Sequence, residues 1–260
     1  MTRIRGRGSG LQDHIIVAVT VPASAPTLDV HPLFPHHTNM SDNDMPERRI
    51  LTIHAHPDDA EIWAGGALLA HRAAGDLTAI CVLTGGDGAR AEEAQRGADL
   101  LGAALFHLSF PDRALRFGPD PIEAVLRVLR ETRPGIVVTH WPEDLHPDHV
   151  ATWEIARAAI TLATSEIGRP AVFWSDTYGG LGARGPFVAD CLVDVTGVWE
   201  QKRAAILAHQ SQDPEHYLQM MESQCGLHGI HGQVRYAEGF IRVPFFSRGR
   251  KAMATLWTHL

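Results

Sequence analysis

The sequence predicts an α/β protein with a Rossmann-like, mostly parallel sheet that is flanked by helices on both faces. From Arg48 onward, short apolar runs rich in β-branched residues alternate with segments of helical periodicity. Glycine or proline separates many of these segments, as expected at helix and strand boundaries. Alternation of this kind favours parallel strands joined by crossover helices. We therefore expect one domain over residues 48–260.

The first part of this domain contains five predicted strands and four helices. The second helix stops at Gly102, and Pro134 follows the third, because these residues do not continue a helix. The predicted strands are Ile50–His54, Leu77–Thr84, Ala104–Leu108, Gly135–Thr139 and Ala171–Ser175. The predicted helices are Ile62–Ala74, which Gly75 closes, Ala91–Leu101, Pro121–Thr132 and a helix from about Asp148 to Ser165.

The remainder of the chain adds further elements to the same sheet. A strand is predicted at Cys191–Asp194 and a last strand at Phe240–Val243. Between them, Trp199–Ala208 and Pro214–Ser223 have helical character. The glycine-rich stretch 177–185 is predicted to form part of a pocket rim, because such excursions between strands are exposed.

Residues 1–47 differ from the rest of the chain. Three arginines precede the apolar run 15–19, and Pro22, Pro26, Pro32 and Pro35 follow it. An export signal with a cleavage site at 23–25 has this general pattern, but Asp13 and His14 interrupt the approach to a very short apolar run. We therefore expect either a disordered leader or an upstream start codon, with initiation at Met40 or Met45.

Composition narrows the class of protein. The formal charge is −7 and no basic stripe occurs, which argues against nucleic-acid binding. No apolar run approaches the ~20 residues of a membrane span. The three cysteines are scattered and include no Cys-x-x-Cys pair, which argues against a disulfide scaffold or a cysteine zinc site. A reduced, cytoplasmic protein is the simplest expectation.

Two unusual clusters follow the first and fourth predicted strands. Residues 56–59 read His-Pro-Asp-Asp, and residues 146–149 read His-Pro-Asp-His. In a sheet of order 3-2-1-4-5 these two strands are neighbours that flank the switch point, where ligands bind at the carboxyl ends of the strands. The sequence thus predicts a metal site at this edge of the sheet.

The residue types in these clusters suit a catalytic zinc ion, which takes three protein ligands and leaves one position open. His56, Asp59 and His149 could supply the three ligands, and Asp58 would then be free to act as a general base. Each residue also has a simpler explanation. Either aspartate could cap the following helix, and His149 could be an ordinary residue of a first helical turn.

The paired clusters, with a glycine pair at Gly65 and Gly66 after the first, resemble the LmbE-like or PIG-L deacetylase family. The resemblance runs from about Arg48 to Val243. Lys202, the sequence His-x-Ser-Gln at 209–212 and the sequence Ala-Glu-Gly-Phe at 237–240 are similar to the C-terminal signatures of this family. Its members are zinc-dependent N-deacetylases of N-acetylglucosamine conjugates, including the enzymes of mycothiol and bacillithiol synthesis.

By motif position, the resemblance implies zinc on His56, Asp59 and His149, with Asp58 as general base. It implies that His146 stabilises the oxyanion or protonates the leaving amine, and that Asp148 orients His146. It also implies assembly into homo-oligomers, although the sequence carries no interface signature. In the commonest form of the family's motif, an acidic residue follows the two aspartates directly. In this sequence Ala60 intervenes before Glu61. We therefore expect Glu61 to interact only with the helix dipole.

Substrate contacts are predicted less specifically, from loop position and from the family signatures. The candidates are Asp87, Arg90, Asp112, Asp144, Arg184 and His209. His54 is expected to point away from His56. Five further histidines are expected to be structural or exposed: His71, His107, His140, His228 and His231.

The function expected from these features is zinc-dependent removal of an acetyl group from the amide nitrogen of an N-acetylglucosamine-type conjugate. One alternative is cleavage of another linear amide, as in mycothiol-conjugate amidases. Two histidines and one carboxylate can also hold Fe²⁺ for oxygen chemistry, although this would not explain the spare acid Asp58. A third alternative is a non-catalytic module that binds sugar or metal, since fold alone does not fix function.

Overall fold

The computed structural model of the chain describes residues 48–86 and 88–245, together with the backbone of residues 15–17. Most of the predicted leader therefore lies outside the described residues, and so does Asp87. The strands of the main sheet are β1 Ile15–Val17, β2 Arg49–His54, β3 Leu77–Thr84, β4 Ala104–Phe110, β5 Ile136–Thr139, β6 Ala171–Ser175, β9 Cys191–Asp194 and β10 Ala237–Val243. A separate two-stranded ribbon consists of β7 Leu181–Gly182 and β8 Gly185–Pro186.

Six α-helices connect these strands within the described part of the chain. Their bounds are α1 Asp59–Ala73, α2 Gly88–Leu101, α3 Pro119–Thr132, α4 Pro147–Ile167, α5 Trp199–Leu207 and α6 Pro214–Gly232. Short 3₁₀ turns occur at Tyr178–Gly180 and Thr196–Val198. None of the described helices is long and apolar enough to cross a membrane.

The sheet confirms the predicted α/β class and the predicted strand order. Its eight described strands run β1-β9-β10-β6-β5-β2-β3-β4. The five strands from β2 to β6 are parallel to their neighbours among themselves, in the order expected for a doubly wound sheet. β10 is antiparallel to both β6 and β9, and β1 is parallel to β9 at the edge. The described part of the predicted leader thus pairs with the sheet.

Both faces of the sheet are buried against helices. Ile50, Ile136 and Val138 point into one core, which α1, α2, α5 and α6 cover. Leu51 and Val137, their neighbours along β2 and β5, point into the other core, which α3 and α4 cover. Because side chains alternate along a strand, strands that are buried on both faces read as continuous apolar runs in the sequence.

Several element bounds differ from the prediction. α1 begins at Asp59, so the second acid of the first cluster belongs to the helix. α6 continues to Gly232 although the prediction ended it at Ser223. The added part of the helix contains glycines, and at Gly229 the helix approaches the backbone of Arg235 too closely for a Cβ atom. Packing against a following segment therefore overrides the low helix propensity of glycine.

Candidate metal centre

The carboxyl ends of β2 and β5 are adjacent in the sheet, and they bring the two sequence clusters together. β2 ends at His54, and a four-residue turn leads into α1 at Asp59. β5 ends at Thr139, and the loop after it leads into α4, whose N-cap residue is His146. This juxtaposition is the one that the switch-point rule predicted from the order of the strands.

Three side chains from these elements direct donor atoms at one point. His56 Nδ1 lies 3.2 Å from His149 Nε2 and 3.2 Å from Asp59 Oδ2, and His149 Nε2 lies 3.5 Å from Asp59 Oδ1. Asp59 Oδ1 is buried and has no hydrogen-bond partner among the described residues. Ligand atoms of a tetrahedral zinc ion, with bonds of about 2.0–2.1 Å, lie about 3.3 Å apart. The spacing and the chemistry of these donors therefore fit zinc.

In both His56 and His149, the ring nitrogen that points away from the other ligands, here called the outer nitrogen, faces a carboxylate. His149 Nδ1 lies 2.9 Å from Asp144 Oδ2. His56 Nε2 lies 3.4 Å from Asp148 Oδ2 and 3.3 Å from Asp112 Oδ1. A proton on each outer nitrogen leaves the inner nitrogen with a free lone pair that points at the common point. Metal-binding histidines are usually oriented by carboxylates in this way.

Two of the predicted roles differ from this arrangement. The Asp148 carboxylate accepts a hydrogen bond from Arg113 N and faces His56, so it is placed to orient His56 rather than His146. Asp148 interacts with His146 through its backbone N–H, which donates to His146 Nδ1 at 3.2 Å. Asp144, a predicted substrate contact, is buried, and its oxygens are occupied by groups of the protein.

Asp58 occupies the N-cap position of α1 but does not cap the helix. Its side chain makes no capping hydrogen bond, and its backbone has φ 105° and ψ −32°. Non-glycine residues rarely adopt a positive φ, and holding one there costs about 1–3 kcal/mol. Burial and the neighbouring Asp59 carboxylate raise the pKa of Asp58 to about 7. The simpler capping explanation for Asp58 therefore does not match the geometry, and a base with this pKa suits proton transfer near neutrality.

Asp59 and His56 attract each other electrostatically. Burial alone would raise the pKa of Asp59, but His149 and His140 hold it well below its usual range. Burial alone would lower the pKa of His56, but the adjacent Asp59 raises it to about 9. In the absence of a cation, a proton on His56 thus offsets part of the negative charge of the site.

His146 lies at the edge of this cluster and is half-buried. Its ring centroid is 4.7 Å from those of both His56 and His149. Burial and the neighbouring imidazoles lower the pKa of His146. Because Nδ1 accepts the Asp148 N–H, the proton of the neutral ring is on Nε2, which can donate a hydrogen bond.

His140 belongs to the centre, although the sequence analysis treated it as structural. Its ring stacks on His149 with centroids 3.7 Å apart and an interplanar angle of 10°. Nε2 accepts the Ala55 N–H at 2.9 Å and lies 3.2 Å from Asp59 Oδ2. Burial is the main reason that the pKa of His140 is lowered to about 4, so the ring is neutral. Its position directly after β5 was a signal that could have identified it.

His54, also buried, lies beneath His140. Their ring centroids are 4.6 Å apart, and His54 Nε2 faces Ser175 Oγ on β6 at 3.3 Å. Burial keeps the pKa of His54 well below its usual value. His54 therefore packs under the site, and its described contacts are with His140 and Ser175 rather than with His56, which lies beyond the end of β2.

Aromatic residues form one wall beside the centre. The Tyr178 ring lies 5.8 Å from His149 and 5.0 Å from Trp63, and Tyr217 of α6 lies 6.0 Å from Tyr178. Burial and the nearby Asp59 raise the pKa of Tyr178 well above its usual value, so its phenol stays protonated. A pocket rim was predicted at 177–185, but neither tyrosine was among the predicted site residues.

The other predicted substrate contacts lie in different settings. Arg90 donates to Asp112 Oδ2 at 2.9 Å and to Pro57 O at 3.3 Å, so it joins the first cluster to the loop after β4. Arg184 forms a surface ion pair with Glu143. His209 is buried beside Glu61, with Nε2 3.4 Å from Oε1. Glu61 therefore has a specific buried partner, which corrects the expectation that it interacts only with the helix dipole.

The chain is similar in sequence to one protein family and to several named proteins. The sequence model of the PIG-L family, described as GlcNAc-PI de-N-acetylase, matches residues 51–160. Diacetylchitobiose deacetylase of Thermococcus kodakarensis is 30% identical over 227 residues, covering 76% of this chain and 84% of that protein. The 1D-myo-inositol 2-acetamido-2-deoxy-alpha-D-glucopyranoside deacetylase of Rhodococcus opacus is 28% identical, covering 65% and 82%.

A similar fold also occurs in a protein with a different activity. The crystal structure of the 4-carboxy-2-hydroxymuconate hydratase of Pseudomonas putida superposes with a TM-score of 0.69. It is 24% identical and covers 78% of this chain and 98% of that one. At this level of identity the likeness shows the fold alone. The chemistry of the site residues, rather than the fold, determines which reaction a protein of this fold catalyses.

Proposed function

The chain belongs to the PIG-L family, and from this membership we propose that it is a zinc-dependent hydrolase of an N-acetylated amino sugar. The observation that carries the proposal is the convergence of His56, Asp59 and His149 beside an uncommitted acid, Asp58. The reaction is removal of the acetyl group from the amide nitrogen of an N-acetylglucosamine-type conjugate.

His56, Asp59 and His149 would hold the metal through the three facing atoms described above. When bound, zinc supplies a Lewis acid that polarises the amide carbonyl and lowers the pKa of water to about 7. The protein's contribution is to hold the three ligands in place, with His140 stacked behind His149 and carboxylates on both outer nitrogens.

Asp58 is the proposed general base. Its carboxylate makes no capping hydrogen bond to α1, so its oxygens are available to accept a proton from the attacking water. The raised pKa places its titration near neutral pH, where a base is both deprotonated and effective. The same carboxyl group can afterwards return the proton to the departing amine.

His146 is the proposed donor to the amide oxygen. The neutral ring carries its proton on Nε2, as the hydrogen bond at Nδ1 requires. A donor held in advance at this position stabilises the negative charge that develops on the carbonyl oxygen during attack. Because its pKa is lowered, His146 donates a hydrogen bond without having to be cationic.

The relatives support an amino-sugar amide as substrate. Both deacetylases named above act, by their names, on N-acetylated sugar compounds. The partly exposed Tyr178 ring, which packs on the buried Trp63, suits the apolar face of a pyranose ring, and Arg90 and Asp112 offer polar partners for hydroxyl groups. The group attached to the sugar would lie toward the rim that includes Arg184 and the exposed Leu145.

The experiment is an acetate-release screen of metal-free and zinc-loaded protein against assorted N-acetylglucosaminides. We expect acetate from at least one of them, dependent on zinc and lost in Asp59→Ala. A parallel screen with linear amides and with muconate-type hydration substrates tests the alternatives. Turnover of only those compounds, or full deacetylation after the metal has been stripped, would overturn the proposal.

A further inference from the structure

We propose that Thr177 is a positioning residue for the metal centre, acting on His149 through Asp144. The inference deepens the proposed function and rests on its assignment of His149 as a metal ligand. Thr177 follows β6, and its hydroxyl donates to Asp144 Oδ2 at 2.6 Å. The same oxygen accepts His149 Nδ1 at 2.9 Å. One carboxylate oxygen thus joins the hydroxyl to the ligand.

The Asp144 carboxylate is held at both oxygens. Oδ2 accepts from His149 and Thr177, and Oδ1 accepts the backbone N–H of His146 at 2.7 Å. The Thr177 hydroxyl is therefore one of three donors that fix the plane of the carboxylate. Asp144 in turn fixes both the metal ligand His149 and the start of the turn that carries His146.

Thr177 itself is fixed from the opposite side, by α6. Its backbone N–H donates to Asp176 Oδ1 at 2.7 Å, and its carbonyl accepts Gln224 Nε2 at 2.9 Å. Asp176 Oδ2 lies 2.8 Å from His228 Nε2. The Thr177 side chain is buried and β-branched, which restricts it to few rotamers. The direction of its hydroxyl is thus determined by the docking of a helix that supplies none of the proposed metal ligands.

The chemical consequence concerns the tautomer and the angle of the His149 ring. With Asp144 held in place, the proton stays on Nδ1 and the Nε2 lone pair faces His56 and Asp59. Without the Thr177 hydroxyl, Asp144 is held only by the His146 N–H and by His149 itself. The plane of the carboxylate, and with it the angle of the His149 ring, is then less firmly fixed, and changes to such outer partners typically weaken metal binding 10–100-fold.

The test measures zinc affinity, with no substrate present, by competition against a chromophoric chelator. Thr177→Val replaces the hydroxyl by a methyl group, and Thr177→Ala removes the hydroxyl without a replacement. Thr177→Ser keeps the hydroxyl. Thr132→Val is the matched control, because Thr132 is also buried and its hydroxyl bonds only a carbonyl of its own helix, Val128 O. Circular dichroism establishes that each variant is folded, and the zinc-induced rise in Tm is a second readout.

We expect Thr177→Val and Thr177→Ala to bind zinc at least about 10-fold more weakly than the wild type, with a smaller zinc-induced rise in Tm. Thr177→Ser and Thr132→Val should retain the wild-type affinity. Wild-type affinity in both hydroxyl-free variants, or an equal loss in Thr177→Ser, overturns the inference. The comparison of zinc affinities does not depend on acetate release. A wild type that binds zinc but does not deacetylate therefore contradicts only the proposed function. A wild type that binds zinc no better than Asp59→Ala overturns both.

Discussion

The Lys202 ammonium and the Glu238 carboxylate form an ion pair inside the protein, with Nζ 2.5 Å from Oε1 and both side chains buried. Nζ also donates to Ile62 O, and the two Glu238 oxygens accept the N–H groups of Gly66 and Ala67. A Cβ atom on Gly66 would lie 2.9 Å from Glu238 Oε1, so only glycine allows this approach. Through these hydrogen bonds the pair connects α5 and β10 to the middle of α1, the helix that begins with Asp59.

Removing one member of this pair should be strongly destabilising. Lys202→Met leaves the Glu238 carboxylate buried without its counter-ion, and we expect the free energy of unfolding to fall by about 3–5 kcal/mol. Adding Glu238→Gln should restore part of the loss, because the uncompensated charge disappears. Urea titration followed by circular dichroism measures both variants. Arg130→Met, which breaks the exposed pair with Glu166, is the control and should change nothing measurable. Equal effects of Lys202→Met and Arg130→Met would contradict the prediction.

The role of Asp58 can be separated from its backbone strain. Asp58→Asn should lower kcat at least about 100-fold, since general-base catalysis contributes that much, while the zinc content stays unchanged. Asp58→Gly and Asp58→Ala both remove the carboxylate, but only glycine relaxes at φ 105°. We therefore expect the glycine variant to be more stable than the alanine variant by about 1 kcal/mol. Thermal unfolding gives the difference, and an alanine variant of equal or greater stability would rule out strain at this position.

Two helix glycines should respond to alanine in opposite directions. A Cβ atom on Gly97 of α2 would overlap the Glu61 carboxylate and approach His209 Nε2, so Gly97→Ala disturbs a buried pair and should destabilise by about 1–3 kcal/mol. Gly226 of α6 has open space around its Cβ position. Gly226→Ala should stabilise by up to about 1 kcal/mol through helix propensity alone. The two unfolding free energies are compared directly, and a shift of the same sign in both would argue against this explanation.

The three cysteines should be inert in the folded protein. Cys81, Cys191 and Cys225 are buried as free thiols. Burial raises the pKa of Cys191 and Cys225 to about 12 and that of Cys81 above its usual range. An aromatic disulfide reagent at pH 8 should therefore label none of them before denaturation and all three afterwards.

The same shifts imply a pH dependence of stability. The unfolded thiols lose protons above about pH 8.5, whereas the folded ones hold them. The thiol contribution to the free energy of unfolding is thus complete below that pH and declines as pH rises toward 12. Replacing the three cysteines by alanine is the control, and an equally steep alkaline decline in that variant would show that other groups cause it.

The periodicity of the sequence predicted the sheet well because its strands are buried on both faces, as the neighbours Ile50 and Leu51 illustrate. The two histidine clusters predicted the position of the centre for a topological reason, since parallel neighbours end at the same edge. The partners around it were harder to predict. His140 was named as structural, Asp144 as a substrate contact, and Thr177 only as the start of a rim, because their roles depend on side-chain contacts between distant elements. A linear pattern does not encode such contacts.

The position of β10 has a consequence for biosynthesis. This strand, the last one of the described chain, lies between β6 and β9 and bonds to both. Until residues 237–243 leave the ribosome, the two portions of the sheet have no common neighbour and Lys202 has no counter-ion. Final assembly of the sheet therefore waits for β10, and nascent chains halted before Ala237 should remain sensitive to a protease that the folded protein resists.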